Sequence, residues 1–184
     1  MIVKGHDFPR VTLVGVLAAD LSLHAGDYRG AEKTFQLLTQ AAGRAGRGDR
    51  PGQVVFQTYQ PEHYSVTCAA REDYVSFYRQ ELQMRQMLQY PPISHILEVL
   101  VSSEKQERAE ALAQVFSGEI GDVQGVVILG PADAGIAKLK NSYRKVMYVK
   151  AADYEVLSDI AARGEAFLSG QEGWRDCTMT FSFD

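Results

Sequence analysis

Gln40, Arg44 and Arg47 stand four and three residues apart in Gln40-Ala41-Ala42-Gly43-Arg44-Ala45-Gly46-Arg47-Gly48, where an apolar helical pattern runs into glycines. A guanidinium group is planar, permanently charged and forked. Two of them converging on one point therefore suit the oxygens of a phosphate. On a continued helix the three side chains share one face, as a group reaching a terminal phosphate across a cleft would require. The plainer reading is a glycine-rich helix exit with two solvated arginines. The shared face, and a second segment upstream, favour the phosphate reading.

That second segment is Lys4-Gly5-His6-Asp7-Phe8-Pro9. Alone it reads as a turn punctuated by Gly5 and Pro9. Its functional reading puts Gly5 where backbone approaches a ligand and makes Asp7 an acceptor for a nucleotide hydroxyl. A third segment, Lys138-Leu139-Lys140-Asn141-Ser142-Tyr143-Arg144-Lys145, sets basic side chains beside an aromatic. It suits a nucleic-acid backbone with a stacking platform, or equally an acidic peptide tail. An edge strand kept soluble by lysines gives the same pattern. Lys150 extends this stripe, and Arg50 extends the cluster of Arg44 and Arg47.

These residues need elements to hold them. Val11–Leu17 is a near-continuous apolar run, as for a strand covered on both faces of a parallel sheet. Phe35, Leu38 and Ala42 mark a helix over 31–42, broken by Gly43 and Gly46 in conformations closed to other residues. A strand over 53–59 follows, so the order is strand–helix–strand, pointing to a parallel α/β sheet. Met1-Ile2-Val3 is already strand-like, which predicts that earlier strands of this sheet lie outside the chain. A long helix is predicted over 71–88, with Tyr74, Phe77, Tyr78 and Leu82 on one side, ended by Tyr90-Pro91-Pro92.

Beyond the prolines, Ile93, His95, Leu97, Val99 and Val101 alternate as one strand face. Ala109, Leu112, Ala113 and Phe116 fall at helical spacing. A short strand over 126–129 is closed by Gly130-Pro131, and a further strand covers 143–150. Leu157, Ile160, Ala161 and Phe167 mark a helix, and a last strand covers 174–183. The order β-α-β-β-α-β is that of a ferredoxin-like split βαβ domain.

At 184 residues, 46% apolar and 23% charged, the chain has the composition of an ordinary globular protein of one or two domains. A net charge of −4 argues against a surface coated with phosphate contacts, although a basic stripe suffices for nucleic acid. No apolar run reaches bilayer length, so no membrane partner is expected. Cys68 and Cys177 lack CxxC spacing and the histidines are isolated. No metal site is expected, and the cysteines read as core residues of a reducing cytoplasm.

The segments also carry a resemblance. IVKGHDFP resembles motif V and QLLTQAAGRAGRG motif VI of superfamily 2 helicases. KGHDFPRVTLVGVLAADLSL, AEKTFQLLTQAAGRAGR, QTYQPEHY, FYRQELQMRQMLQYPPIS, ILGPADAGIAKLKNSYR and TFSFD together are similar to the replication-restart helicase family PriA, primosomal protein N′. The match runs in family order from the first residue almost to the last.

The resemblance implies three parts: 1–70 as the C-terminal part of a RecA-like second helicase lobe, 71–90 as a connecting helix, and 91–184 as a C-terminal domain binding DNA or a partner. It implies that Gln40, Arg44 and Arg47 are catalytic residues reaching the γ-phosphate, one arginine acting as a finger. Gly5, Asp7 and Gly43 would be nucleotide-binding, and Lys138, Lys140, Asn141, Tyr143, Arg144 and Lys145 would contact DNA or a partner. The parent would be an ATP-dependent DNA helicase that remodels stalled forks and starts primosome assembly, using ATP and magnesium. It would also carry zinc, on ligands outside this chain. Implied partners are branched and single-stranded DNA, single-stranded DNA-binding protein, other primosome proteins and the replicative helicase loader, in a bacterial, nucleoid-associated setting. Nothing matches G-x-x-x-x-G-K-[ST] or D-E-x-H, so the chain alone is expected to lack ATPase activity. A stand-alone binding module and a fragment of a RecG-like translocase are the alternatives.

Overall fold

A computed structural model describes residues 11–46 and 51–184, and the chain divides into two compact units after Met87. Gly5, Asp7 and Arg47, like the strand-like start of the chain and Arg50, lie outside the described residues.

The first unit contains β1 (Leu13–Val16), α1 (Gly30–Ala42), β2 (Gln53–Phe56), α2 (Tyr64–Ala70) and α3 (Tyr74–Leu88). β1 and β2 pair in parallel, Leu13 opposite Gln53 and Val16 opposite Phe56, as strand–helix–strand order requires. Both strands are shorter than their apolar runs. Their inner residues pack towards α1, whose Phe35, Leu38 and Ala41 are buried, whereas Leu13 and Val55 on the other face stay exposed. The loops that follow the strands are joined by buried Asp20, which accepts the Thr58 hydroxyl at 2.9 Å and the Tyr59 N–H at 2.7 Å. Burial works to raise its pKa, but these donors outweigh it and hold the carboxyl below the ordinary range.

Two expectations need correction here. The helix predicted over 71–88 starts at Tyr74, capped by Asp73, whose carboxylate accepts the Ser76 N–H at 2.9 Å. Residues 71–73 form a turn that separates it from α2, whose start is capped by the His63 ring. The buried side of α3 also differs from its apolar stripe. Phe77 and Glu81 are buried, while Tyr74 and Tyr78 are exposed. Glu81 turns inward because its charge is met there by the Tyr64 hydroxyl and by Arg85.

The second unit holds β3 (His95–Ser103), α4 (Gln106–Gly121), β4 (Val126–Leu139), β5 (Ser142–Ala151), α5 (Tyr154–Gly170) and β6 (Cys177–Phe183). The β-α-β-β-α-β order is present, as one antiparallel sheet in the order β4-β5-β3-β6. Alternation sends Leu97, Val99, Val101, Met147 and Val149 to one face, where they meet Leu112, Phe116, Leu157 and Ile160 of α4 and α5. Burying a side chain of this size contributes about 1.5–3 kcal/mol. Gly164 lets α5 approach β6, since a Cβ there would lie 2.3 Å from the Phe181 ring.

Gly130-Pro131 does not close β4, contrary to the expectation for 126–129. The strand runs on to Leu139 through register shifts at Leu129/Ala132 and Asp133/Lys138. A bulge accommodates a proline that has no N–H to give to the ladder. Gly130 fits by its φ of 104° and by the 2.9 Å that a Cβ would leave to the Val146 carbonyl.

Candidate functional site

α1 forms because Thr34, Phe35, Leu38 and Ala41 fall at helical spacing and are buried together. Its start is tied by Asp27, which accepts the Arg29 N–H at 2.9 Å and pairs with Lys33. Its end carries the phosphate-binding candidates. Gln40 and Gly43 are exposed and Arg44 is half-buried. The winding tightens rather than reverses, with Arg44 N–H donating to Ala41 at 3.1 Å and Ala45 N–H to Ala42 at 3.2 Å. Gly43, expected in a conformation closed to other residues, has an ordinary φ of −66°, so the reversal falls at Gly46, φ 70°. Gly46 N–H then donates to the Val11 carbonyl at 3.1 Å. Gly52 sits so close that a Cβ would meet the Gly46 nitrogen at 2.3 Å. Arg44 is therefore held on a short, hydrogen-bonded turn anchored to the start of the strand pair.

Beside this turn lies a cavity of about 340 Å³, lined by Ala42, Ala45, Val54, Phe56, Ala69 and Glu72, among others. Its described lining consists mostly of small side chains, and the one carboxylate among them, that of Glu72, opposes an anion. Among the described residues no group of three or more His, Cys, Asp or Glu could hold a metal ion. No described helix is long and apolar enough to cross a membrane.

The third segment is the β4–β5 hairpin. Its turn residues, Lys140 and Asn141, have φ of 47° and 66°, the pattern of a two-residue type I′ turn. Lys138, Lys140 and Asn141 are exposed. The Lys138 ammonium donates to the Tyr143 hydroxyl at 3.1 Å and lies 4.3 Å from the centre of that ring, so the pair forms one cationic, aromatic surface. Arg144, on the adjacent position of β5, points to the other face and is half-buried.

The remaining lysines of the stripe are not part of that surface. Lys145 pairs with Asp133 at 2.9 Å and Glu110 at 3.8 Å. The hydrogen-bonded Asp133 carboxylate holds its ammonium above the usual lysine value. Lys150 is buried, donating to the Leu88 carbonyl at 3.0 Å under the Tyr90 ring, 3.5 Å from its centre. Burial pushes that ammonium below its ordinary value.

Sequence reasoning missed one polar cluster in the first unit. Glu81 accepts the Tyr64 hydroxyl at 2.6 Å and Arg85 Nε at 2.7 Å, while a terminal nitrogen of Arg85 reaches Glu32 of α1 at 2.7 Å. Burial, then the hydrogen bond to Glu81, push the Tyr64 phenol far above its usual value. The one signal available was the four-residue spacing of Glu81 and Arg85.

Comparison with known proteins bears on both units. Residues 86–184 match the family described as the Primosomal protein N C-terminal domain. The replication restart protein PriA of Bacillus subtilis is 47% identical over 154 residues, 82% of this chain and 19% of that protein. That of Synechocystis is 41% identical over 152 residues, 82% of this chain and 18% of that protein, and that of Treponema pallidum 37% over 163, 88% and 25%. The chain thus spans about a fifth to a quarter of the length of these relatives. Among solved structures, the de novo designed protein Foldit4 covers 50% of the chain, and 96% of its own length, at 10% identity and a TM-score of 0.39, too slight a likeness to carry an argument.

Proposed function

The chain belongs to the PriA family, and from that membership we propose that it is part of an ATP-dependent DNA helicase acting in replication restart. In this reading the strand pair with α1 is a piece of a RecA-like second lobe. Arg44, with Gln40 beside it and Arg47 beyond the described residues, faces the terminal phosphate of ATP. The second unit contacts branched DNA at stalled forks through the surface of Lys138, Lys140, Asn141 and Tyr143. Single-stranded DNA-binding protein, primosome proteins and the helicase loader are the partners of the parent protein.

The observation that supports the motor reading best is the fixed turn at the end of α1, which gives Arg44 a defined root. A forked cation so held stabilises charge that develops on a phosphoryl group in the transition state. The donor set fits the outer oxygens of a triphosphate and no more. Among the described residues, one guanidinium and one amide offer neither a backbone cradle nor a carboxylate for magnesium. ATP and its magnesium would be gripped chiefly by another part of the parent, and the chain alone would not turn over. Bound there, the metal would supply neutralisation of the phosphate charge. The zinc of the parent protein would be held on ligands in another part of it.

Matched ATPase assays test the reading. The 184-residue chain shows no DNA-stimulated turnover, and the full-length protein loses it on Arg44→Ala, on the order of 10³-fold, while still binding forked DNA. Normal turnover in that variant ends the assignment of Arg44.

A further inference from the structure

The aim of an arginine at the end of a helix depends on how that helix is turned about its own axis. The apolar contacts of α1 are indifferent to small rotations. Phe35 stacks on Phe77 with ring centres 4.1 Å apart, and Leu38 and Ala41 make non-directional contacts. The Thr34 hydroxyl is buried without a hydrogen-bond partner. Directional contacts act on α1 at its start, where Asp27 accepts the Arg29 N–H and pairs with Lys33, and along its side, where Arg85 of α3 reaches Glu32. Its fork spans Glu81 on its own helix and Glu32 on α1, both at 2.7 Å. Glu81 is buried and is itself fixed by the Tyr64 hydroxyl of α2 at 2.6 Å. Tyr28, just before α1, lies under the same guanidinium, 5.3 Å away. Arg85 and Glu81 are 14% and 10% exposed while Glu32 is 39% exposed, so the group adds little net stability, and the best-attested use of the buried part is to fix register.

We propose that Arg85, seated on Glu81, is a positioning residue that sets the azimuth of α1 and with it the aim of Arg44. The proposal rests on the reading of Arg44 given above and adds to it a residue about 40 positions away in sequence. The lever is short. At a helix radius of about 6 Å, a rotation of roughly 10° moves a side chain by about 1 Å. A misplacement of that size costs up to about 100-fold in rate. Arg44 is rooted in turns that continue α1 ahead of the Gly46 anchor on Val11, so a rotation of the helix is passed on to it.

The test uses the full-length protein. Arg85→Lys keeps the charge but loses the fork. It should lower the kcat of DNA-stimulated ATP hydrolysis by roughly 10- to 100-fold, with KM for ATP within about threefold, because a contact made only in the transition state is what is lost. Glu81→Gln should act in the same direction, and Tyr64→Phe more mildly. Tyr64→Phe removes a single donor, so it keeps the proposal testable if the charge variants fold poorly. Arg85→Lys combined with Arg44→Ala should lose no more than Arg44→Ala alone, since Arg85 acts through Arg44. Wild-type kcat in folded Arg85→Lys and Tyr64→Phe, or losses that simply multiply in the double variant, overturn the proposal while leaving Arg44 in place. A silent Arg44→Ala instead overturns the reading beneath it.

Discussion

Replacing Lys150 with methionine sets two opposed effects against each other. The ammonium is buried, donates to the Leu88 carbonyl at 3.0 Å and lies 3.5 Å from the Tyr90 ring centre. A charged hydrogen bond contributes about 1.5–3 kcal/mol and a desolvated cation–π contact about 2. Taking an ammonium out of water costs several kcal/mol, about what those two contacts return, and burial lowers the pKa of Lys150. Methionine keeps the volume and removes the charge. Lys150→Met should therefore leave the stability of the second unit unchanged or raise it by roughly 0–2 kcal/mol.

The junction should respond in the opposite sense. The Gln89, Tyr90 and Ile93 amides, now without the Leu88 and Tyr90 anchor, should exchange about tenfold faster, the equivalent of one lost hydrogen bond. Trp174, the single tryptophan, lies in the second unit and reports its unfolding in urea by fluorescence. The pH dependence gives an independent sign. A lysine whose folded pKa lies below its unfolded value of about 10.4 leaves the unfolded chain binding more protons in that window. Wild-type stability should rise as pH climbs towards 10.4, about the unfolded value, and the methionine variant should lack that rise. A stability loss above about 2 kcal/mol with unchanged exchange at the junction would refute the reasoning, because the charge would then be a net stabiliser.

Phe116, 1% exposed between the sheet and Phe167, should cost about 3–5 kcal/mol on truncation to alanine, read from Trp174 fluorescence in urea. Asp20→Asn should destabilise the first unit at neutral pH. Because the folded Asp20 pKa is depressed, that stabilisation is present above the unfolded value of about 3.9 and lost as pH falls through the lower folded value. The gap between wild type and variant should therefore close in acid, followed by exchange at the Thr58–Gln60 amides. Lys138→Ala and Lys140→Ala should each lower the salt dependence of forked-DNA binding by about 0.7–0.9 in log–log slope. Lys145→Ala, whose charge is already met by Asp133 and Glu110, should leave that slope unchanged.

The second unit was legible because its strands alternate and its helices repeat apolar residues at three and four. Leu97, Val99 and Val101, or Ala109, Leu112 and Phe116, leave only one inward face. The reading failed wherever polarity was met by a distant partner. Glu81 and Arg85 look like a solvated face of α3 until Tyr64 and Glu32 arrive from other helices. Lys145 and Lys150 look like part of a basic stripe until Asp133, Glu110, Leu88 and Tyr90 meet them. Gly130-Pro131 looks like a stop because a bulge that absorbs a proline leaves no mark in local sequence. For Arg44, spacing named the residue, but the 3₁₀-like turn that roots it depends on Gly52 approaching Gly46 from six positions along the chain.

The strand pair β1–β2 has a practical corollary. Leu13 and Val55, 61% and 57% exposed, face outward, and among the described residues no third strand pairs with β1 or β2. Such a surface recruits neighbours, so concentrated solutions of this polypeptide will tend to clump through the first unit. A single acidic substitution at Val55 is the simplest remedy for handling it at the bench.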